Sequence, residues 1–297
     1  MDAFVEVARM LSFSGAAKRL RCSTSQVSRE ISRLEERLGV RLLHRTTRQV
    51  SLTDVGERFL EQCMRLIADR EAVVSAIAEE SGELQGPLRV TCSVAYGERF
   101  IIPLLNAFIA EHPRLELELV LSDEVLDLVG GGFDLAIRAG RLKDSRLVAK
   151  RLASRTRVLC AAPSYLAAAP AIADLADLAV HACLRGTTET WTFSRNGREQ
   201  TFKPRGRWRG NSGAAVLDAA IRGLGVCQLP DFYLDQALAE GRLVRLLPQL
   251  QPEDEGVWAL YPNRRHLSAK VRLVLEHLGA HLAANKEQAP APAPPSA

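Results

Sequence analysis

Long charge-free apolar runs are missing from this chain, and with them any segment of the length that a membrane-spanning helix needs. The amino terminus has no basic segment followed by an apolar stretch and a cleavage site, so the cytoplasm is the expected compartment. The six cysteines, at 22, 63, 92, 160, 183 and 227, form no C-x-x-C pair, and neither a zinc site nor a disulfide framework is indicated. They are expected to be small buried hydrophobes. No nucleophile elbow, metal-ligand spacing or phosphate loop occurs, so no catalytic residue, metal or cofactor is expected. Gly130-Gly131-Gly132 follows a helix-like stretch instead of opening one and reads as a helix stop. His277 and His281 stand four apart, but the residues between are Leu-Gly-Ala, without a catalytic Glu; they are read as surface histidines.

What is present is a chain of 297 residues with ordinary apolar content, long enough for two domains and a sizeable core. The net charge of +4 is unevenly placed. Residues 1–60 hold 11 Lys+Arg and 7 Asp+Glu, and the remaining residues hold 28 of each, so the whole excess lies in the first fifth. A basic module on an electrically balanced body is expected where nucleic-acid binding is confined to one end, because phosphate neutralisation supplies much of the affinity.

Within that fifth, Ser14 to Leu38 reads as two helices and a tight turn. Ala16, Ala17 and Leu20 give the first helix a small apolar face suited to close packing. Ser23 and Gln26 have the spacing of a capping box, in which each side chain satisfies an amide at the helix start. Val27, Ile31, Leu34 and Leu38 then recur at helical spacing as a buried stripe. The opposite face carries Ser25, Gln26, Arg29, Ser32 and Arg33, donors and cations that suit phosphates and base edges. A helical hairpin with a solvated polar face would share these features. The next segment favours nucleic acid, since Arg41, Arg45, Thr46, Thr47 and Arg48 form a short basic loop between apolar runs, as a wing would.

From Ser12 to Gly56 the run SFSGAAKRL, then STSQVSR, then RLEERLGVRLLHRTTRQVSLTDVG resembles the DNA-binding domain of LysR-type transcriptional regulators. With the later segments the resemblance covers all but the tail after Asn285. It implies a winged helix-turn-helix at 1–56, a linker and dimerisation helix at 57–86, and a two-lobed periplasmic-binding-protein-like effector domain at 87–285. The candidate DNA-binding residues are Ser14, Ser23, Thr24, Ser25, Gln26, Ser28, Arg29, Arg33, Arg45, Thr46, Thr47 and Arg48. The implied partners are double-stranded DNA carrying an imperfect palindrome, a small-molecule effector, and further copies of the chain as a dimer assembled into a tetramer. One departure from the family concerns the first helix, with Asp2 as its cap and Phe4, Val7 and Leu11 inward: relatives have about half a turn or more before it.

From Glu57 to Ser81 there is no Gly or Pro, enough for a helix of roughly 40 Å at 1.5 Å per residue. Phe59, Leu66 and Val73 repeat every seven residues, with Val55, Cys63, Ile67, Val74 and Ile77 beside them, a stripe wide enough to pair two chains. Packing within one subunit is the competing reading. After Gly82 and Gly86-Pro87, strands are expected at 88–92, 115–121 and 133–139, with helices near 101–110 and 124–129. Further strands are expected at 157–162, 181–186, 225–230, 242–247 and 256–261. A hairpin should turn at Asn196-Gly197, and helices should follow Pro163, span 212–224 and 231–241, and run from Ser268 to about Ala284. Alternating strands and helices imply a mostly parallel α/β sheet, with lobe I at about 87–160 plus 266–285 and lobe II at about 161–265. The closing QAPAPAPPSA, in 286–297, is low-complexity and expected to be disordered.

Ligands of open parallel sheets bind beyond the carboxyl ends of strands, where helix starts present free amides. Ser93, Val94 and Tyr96 follow the first such strand, Arg138 and Gly140 follow the third, and Asn211, Ser212 and Gly213 open a helix in lobe II. Together with the turn at Pro230, the resemblance makes these the lining of an inducer cleft. Ser93 and Ser212 are also ordinary helix caps in kind, and Arg138 could pair with Asp134. The set predicts a small anionic or aromatic effector, with Arg138 for a carboxylate and Tyr96 and Trp191 as stacking surfaces. A redox-sensing regulator of the same architecture is the nearest alternative, resting on Cys160, Cys183 and Cys227, although Cys160 and Cys227 lie in apolar strands. A solute-binding protein or an enzyme on the two-lobed fold is the alternative from another class, opposed by the basic first fifth and the missing motifs.

Overall fold

The computed structural model describes residues 1–45, 50–80, 84–124, 126–140, 147–262 and 267–287. It opens with three helices, α1 (Asp2–Met10), α2 (Phe13–Arg19) and α3 (Thr24–Leu38), and a two-stranded antiparallel wing, β1 (Leu43–Arg45) and β2 (Val50–Leu52). Thr53 caps the long helix α4 (Asp54–Glu80), accepting from Gly56 N–H at 2.9 Å and donating to the Arg41 carbonyl. A Cβ at Gly56 would collide with the Leu42 carbonyl, so only glycine lets α4 pass this close to the wing.

Several local readings are corrected here. The cap of α1 is Met1, with Asp2 inside the first turn, and Leu11 is the exposed left-handed residue ending that helix. In α3, Ser23 Oγ accepts from Gln26 N–H, but Gln26 Nε2 reaches along the helix to Glu30, so only half of the capping box forms. Val27 and Ile31 are buried and Leu34 is half-buried, whereas Leu38 is 42 % exposed, because Gly39 turns the chain away in a left-handed cap.

The expected dimer stripe of α4 divides. Leu60, Cys63 and Met64 are buried in the core of the winged module with Phe4, Val27, Ile31, Leu42 and Leu43, and Phe59 and Ile67 pack against it. Leu66 is 59 % exposed and Val55 is also exposed. The side chains of Val73, Val74 and Ile77 lie outside the described residues.

The following elements are β3 (Gly86–Cys92), α5 (Val94–Tyr96), a π-helical turn (Gly97–Ile101), α6 (Ile102–Glu111), β4 (Leu115–Leu121), β5 (Leu135–Ala139), β6 (Leu147–Arg155), β7 (Arg157–Ala161) and α7 (Pro163–Ala168). Then come β8 (Trp191–Arg195), β9 (Arg198–Phe202), α8 (Gly213–Ile221), β10 (Cys227–Pro230), α9 (Asp231–Ala239), β11 (Val244–Arg245), β12 (Glu255–Pro262) and α10 (Ala269–Glu287). Two compact units result. One holds 1–138, 143–150 and 259–297; the other holds 139–142 and 151–258.

In the first unit β3 pairs in parallel with β4 on one side and β5 on the other, within a sheet ordered β4-β3-β5-β12-β6. In the second unit β7 lies between β10 and β11, and both pairings are antiparallel, where parallel strands were expected. The segment at 181–186 makes isolated bridges at Cys183 and Arg185 instead of a strand. No helix forms among the described residues of 124–129; Asp127 Oδ1 accepts from Val129 N–H and its carbonyl from Gly131 N–H, which closes a turn.

Candidate DNA-reading face and effector site

The amino-terminal half of α3 presents a polar surface, and its cap Ser23 accepts from Gln26 N–H. Ser23, Thr24, Ser25, Gln26, Arg29 and Arg33 are exposed, and Ser28 is half-buried. Ser14 is exposed at the start of α2, its hydroxyl 3.1 Å from Ser12 Oγ, which in turn caps α2 through Gly15 N–H. Ser23 and Ser25 hydroxyls lie 3.0 Å apart, so two helix starts offer donors on one module. Arg29 folds back on the Ser25 carbonyl at 3.3 Å, a single weak contact that leaves the rest of its fork open.

The wing is held by Glu35, which sequence reasoning did not single out. Its carboxylate accepts from Leu42 and Leu43 N–H and pairs with Arg45 Nη2 at 2.8 Å. Arg45 also lies over the Phe13 ring. Arg45 thus stitches the wing to α3. Thr46, Thr47 and Arg48 lie outside the described residues.

At the carboxyl ends of β3 and β5, Arg138 is the organising group. Nη2 donates to Thr91 Oγ1 at 3.0 Å, Nη1 to the Ile137 carbonyl, and the fork approaches the Glu124 carbonyl at 3.5 Å. Among the described residues every one of these acceptors is neutral. The expected competitor, Asp134, is engaged elsewhere, by Arg89 N–H and by Lys270 at 3.6 Å. Burial pulls the Arg138 pKa below its ordinary value, opposed by Cys92 and Asp123 nearby. Burial likewise pushes the Cys92 thiol up to about 12, against the pull of Arg138.

Ser93 starts α5 without a capping bond from its side chain. Val94 N–H donates instead to Asp123 Oδ1 at 3.1 Å, so a carboxylate of the chain occupies the amide expected to be free. Tyr96 is buried against Phe100, and Trp191 is 1 % exposed within the core beside Phe202. Neither ring is open, which corrects the expectation of stacking surfaces.

In the second unit Ser212 Oγ caps α8 through Ala215 N–H at 3.4 Å, the ordinary role for a serine there. Asn211 is exposed, a Cβ at Gly213 would collide with the Tyr233 ring, and Pro230 is buried as the cap of α9. Gly140 has φ +107° and joins Gly256 and Trp258 through main-chain and indole hydrogen bonds. Cys160 and Cys227 face one another across β7 and β10 with sulfurs 3.4 Å apart, both fully buried, a pairing that their spacing in sequence does not reveal.

Residues 1–57 match the family described as bacterial regulatory helix-turn-helix protein, lysR family, and residues 81–283 match the LysR substrate binding domain. This chain belongs to the LysR family of transcriptional regulators. The HTH-type transcriptional regulator PtxR of Pseudomonas aeruginosa is 38 % identical over 284 residues, covering 94 % of this chain and 91 % of PtxR. DmlR of Escherichia coli is 34 % identical over 285 residues, covering 94 % and 92 %. Among solved structures, the full-length Vibrio cholerae virulence activator AphB has a TM-score of 0.60 at 27 % identity over 94 % of this chain and 97 % of that one. CrgA of Neisseria meningitidis has a TM-score of 0.56 at 32 % identity over 93 % and 97 %. As a LysR-type regulator the protein is a DNA-binding transcription factor with an effector-binding domain, and PtxR and DmlR are likewise transcriptional regulators. Among the described residues no helix is long and apolar enough to cross a membrane, and no group of three or more His, Cys, Asp or Glu is placed to hold a metal.

Proposed function

We propose that this regulator acts in the cytoplasm as a homodimer, further assembled into a tetramer, that reads an imperfect palindrome with the exposed face of α3 and responds to a small carboxylate-bearing metabolite. Arg29, Gln26 and Ser25 are the base-reading candidates. Ser14, Ser23, Thr24, Ser28 and Arg33, with the wing residues Thr46, Thr47 and Arg48, are assigned to phosphates and flanking contacts. Exposed Leu66 and Val55 on α4 support its pairing with a second copy.

The observation that carries the effector assignment is the half-buried Arg138 guanidinium, which among the described residues hydrogen-bonds neutral acceptors only and has Asp123 nearby without an ion pair to it, since a charge removed from water calls for a paired counter-charge. Ser93 and Val94 in the first unit, and Gly140, Asn211, Ser212, Gly213 and Pro230 in the second, are assigned to effector binding by the family resemblance. The redox alternative ranks below this reading. Cys227 is pushed up by its hydrogen bond to Cys160 and by burial, and a protonated, enclosed thiol is a poor nucleophile.

Calorimetry on the full chain with a panel of carboxylates and their neutral amides tests the effector class, and binding of the neutral members alone would remove it. A footprint on the DNA upstream of the gene tests the operator; protection lacking two related half-sites would remove the palindrome.

A further inference from the structure

The segment from Lys203 to Gly210, between the β8–β9 hairpin and α8, alternates in a way that its neighbours do not. Lys203, Arg205, Arg207 and Arg209 are exposed, while Pro204 is buried and Gly206, Trp208 and Gly210 are half-buried. Exposed cations therefore alternate with buried or half-buried residues along an irregular segment that bends at Arg207. The backbone beneath them is fixed. Cys183 N–H donates to the Arg205 carbonyl, Arg185 N–H to the Trp208 carbonyl, and Gly210 N–H to the Arg185 carbonyl. A Cβ at Gly206 would collide with the Cys183 carbonyl, and Trp208 packs against the core of α8, α9 and β10.

On this unit Arg155 and Arg157 pair with Glu255, Arg195 with Asp174, Arg222 with Asp218 and Arg242 with Glu240, while Arg198 and Arg245, like the strip, enter no ion pair among the described residues. Among the described residues none of the four side chains of the strip enters an ion pair or a hydrogen bond. Arg185, bridged to Arg209, adds a fifth cation whose buried Nε has no partner. Residues 151–258 contain 13 Lys+Arg and 11 Asp+Glu, so without the four of the strip the segment would be acidic, 9 against 11. Four like charges within seven residues repel one another, and a polyanion would relieve that repulsion.

We propose that Lys203, Arg205, Arg207 and Arg209 form a second, sequence-independent DNA contact, on the effector domain, that grips the phosphate backbone of duplex DNA flanking the operator. The inference rests on the reading of α3 as the DNA-binding helix. Duplex DNA fits better than an acidic protein segment because the strip offers uniform charge and no exposed apolar or aromatic anchor, whereas protein interfaces centre on such anchors. Three arginines among the four supply forks for phosphate oxygens on a pre-formed backbone.

The test uses the full-length protein with Lys203→Gln, Arg205→Gln, Arg207→Gln and Arg209→Gln combined. Binding is measured over a range of salt to a short duplex covering only the footprint and to a longer one extended on both sides. The wild type is expected to bind the long duplex more tightly and with a steeper salt slope. The variant should bind the short duplex as the wild type does and lose the excess on the long one, its slope falling by up to about 3.6, or ~0.9 per phosphate contact. An unchanged thermal midpoint confirms that the variant is folded. Equal long-duplex affinity and slope for wild type and variant would overturn the proposal. So would unchanged DNA binding with lost activation by purified polymerase, which would assign the strip to an acidic protein. Arg29→Ala separates the two readings, since it should weaken the short duplex and leave the long-minus-short excess intact.

Discussion

Arg138 Nη2 donates to Thr91 Oγ1 across 3.0 Å, a cation resting on a neutral acceptor that is itself fully buried. A hydroxyl orients the fork without neutralising it. Arg138→Gln should therefore lower affinity for a carboxylate effector about tenfold to a hundredfold, since a hydrogen bond to a charged group contributes about 1.5–3 kcal/mol. Arg138→Lys should restore part of the loss, and ligand-free DNA binding should not change. Titration calorimetry checks this; equal affinity of wild type and Arg138→Gln would remove the carboxylate assignment.

Gln26 is released from the capping role that its spacing predicted, because its amide reaches Glu30 instead of the Ser23 backbone. Ser23→Ala should cost about 1 kcal/mol of stability through the lost cap, whereas Gln26→Ala should leave stability nearly unchanged. On DNA, Gln26→Ala and Arg29→Ala should each relax preference at one base pair by about 1–3 kcal/mol. Affinities across a set of single-base operator variants decide, and a loss of equal size on all of them would mark Arg29 as a phosphate contact.

Glu35 joins α3 to the wing through two amides and Arg45. Glu35→Ala leaves these donors without an acceptor and should destabilise the protein by about 1–3 kcal/mol. Glu35→Gln keeps one oxygen for Leu42 and Leu43 and should lose less. Denaturant midpoints of the two variants measure the difference, and equal midpoints would show that water replaces the carboxylate.

In the second unit, burial alone would raise the Glu255 carboxyl, but Arg157 and Arg155 outweigh it and hold it below the ordinary carboxylate range. A carboxyl lowered on folding contributes stability that is complete above its unfolded pKa of about 4.3 and is lost as pH falls through the folded value. Urea midpoints taken from neutral pH downward should fall more steeply for the wild type than for Glu255→Gln. Parallel acid limbs would place the acid sensitivity in other groups.

Cys22 is the half-buried thiol of the six, and the other five are buried. A thiol reagent under native conditions should modify Cys22 first and leave Cys160 and Cys227 as thiols after mild peroxide. Mass spectrometry that found a Cys160–Cys227 disulfide together with altered DNA affinity would promote the redox reading.

Much of the architecture was legible because local rules and tertiary structure agree. The turn at Asn196-Gly197 follows from left-handed residues, and the starts at Ser23 and Ser212 follow from side-chain caps. The helix expected near 124–129 failed because Asp127 offers its own carboxylate to the chain and closes a turn first. The α4 stripe failed as a single seam because period alone cannot say which partner covers each face. In the structure the winged module covers Cys63 and Met64 and leaves Leu66 out.

The candidate site divides along the same line. Period, capping and charge distribution marked from sequence alone a basic helical module with a wing-like loop ahead of an α/β body, and the family resemblance implied its two lobes. The first three are properties of residues near one another in the chain, and they sufficed to expose the face of α3. Only the tertiary structure decided which charged groups have partners. Arg45 meets Glu35, Asp134 meets Lys270, and Arg138 meets neutral oxygens, all across separations that no local pattern encodes. Pairing depends on distance in space, and the field between two charges takes no account of the chain that joins them.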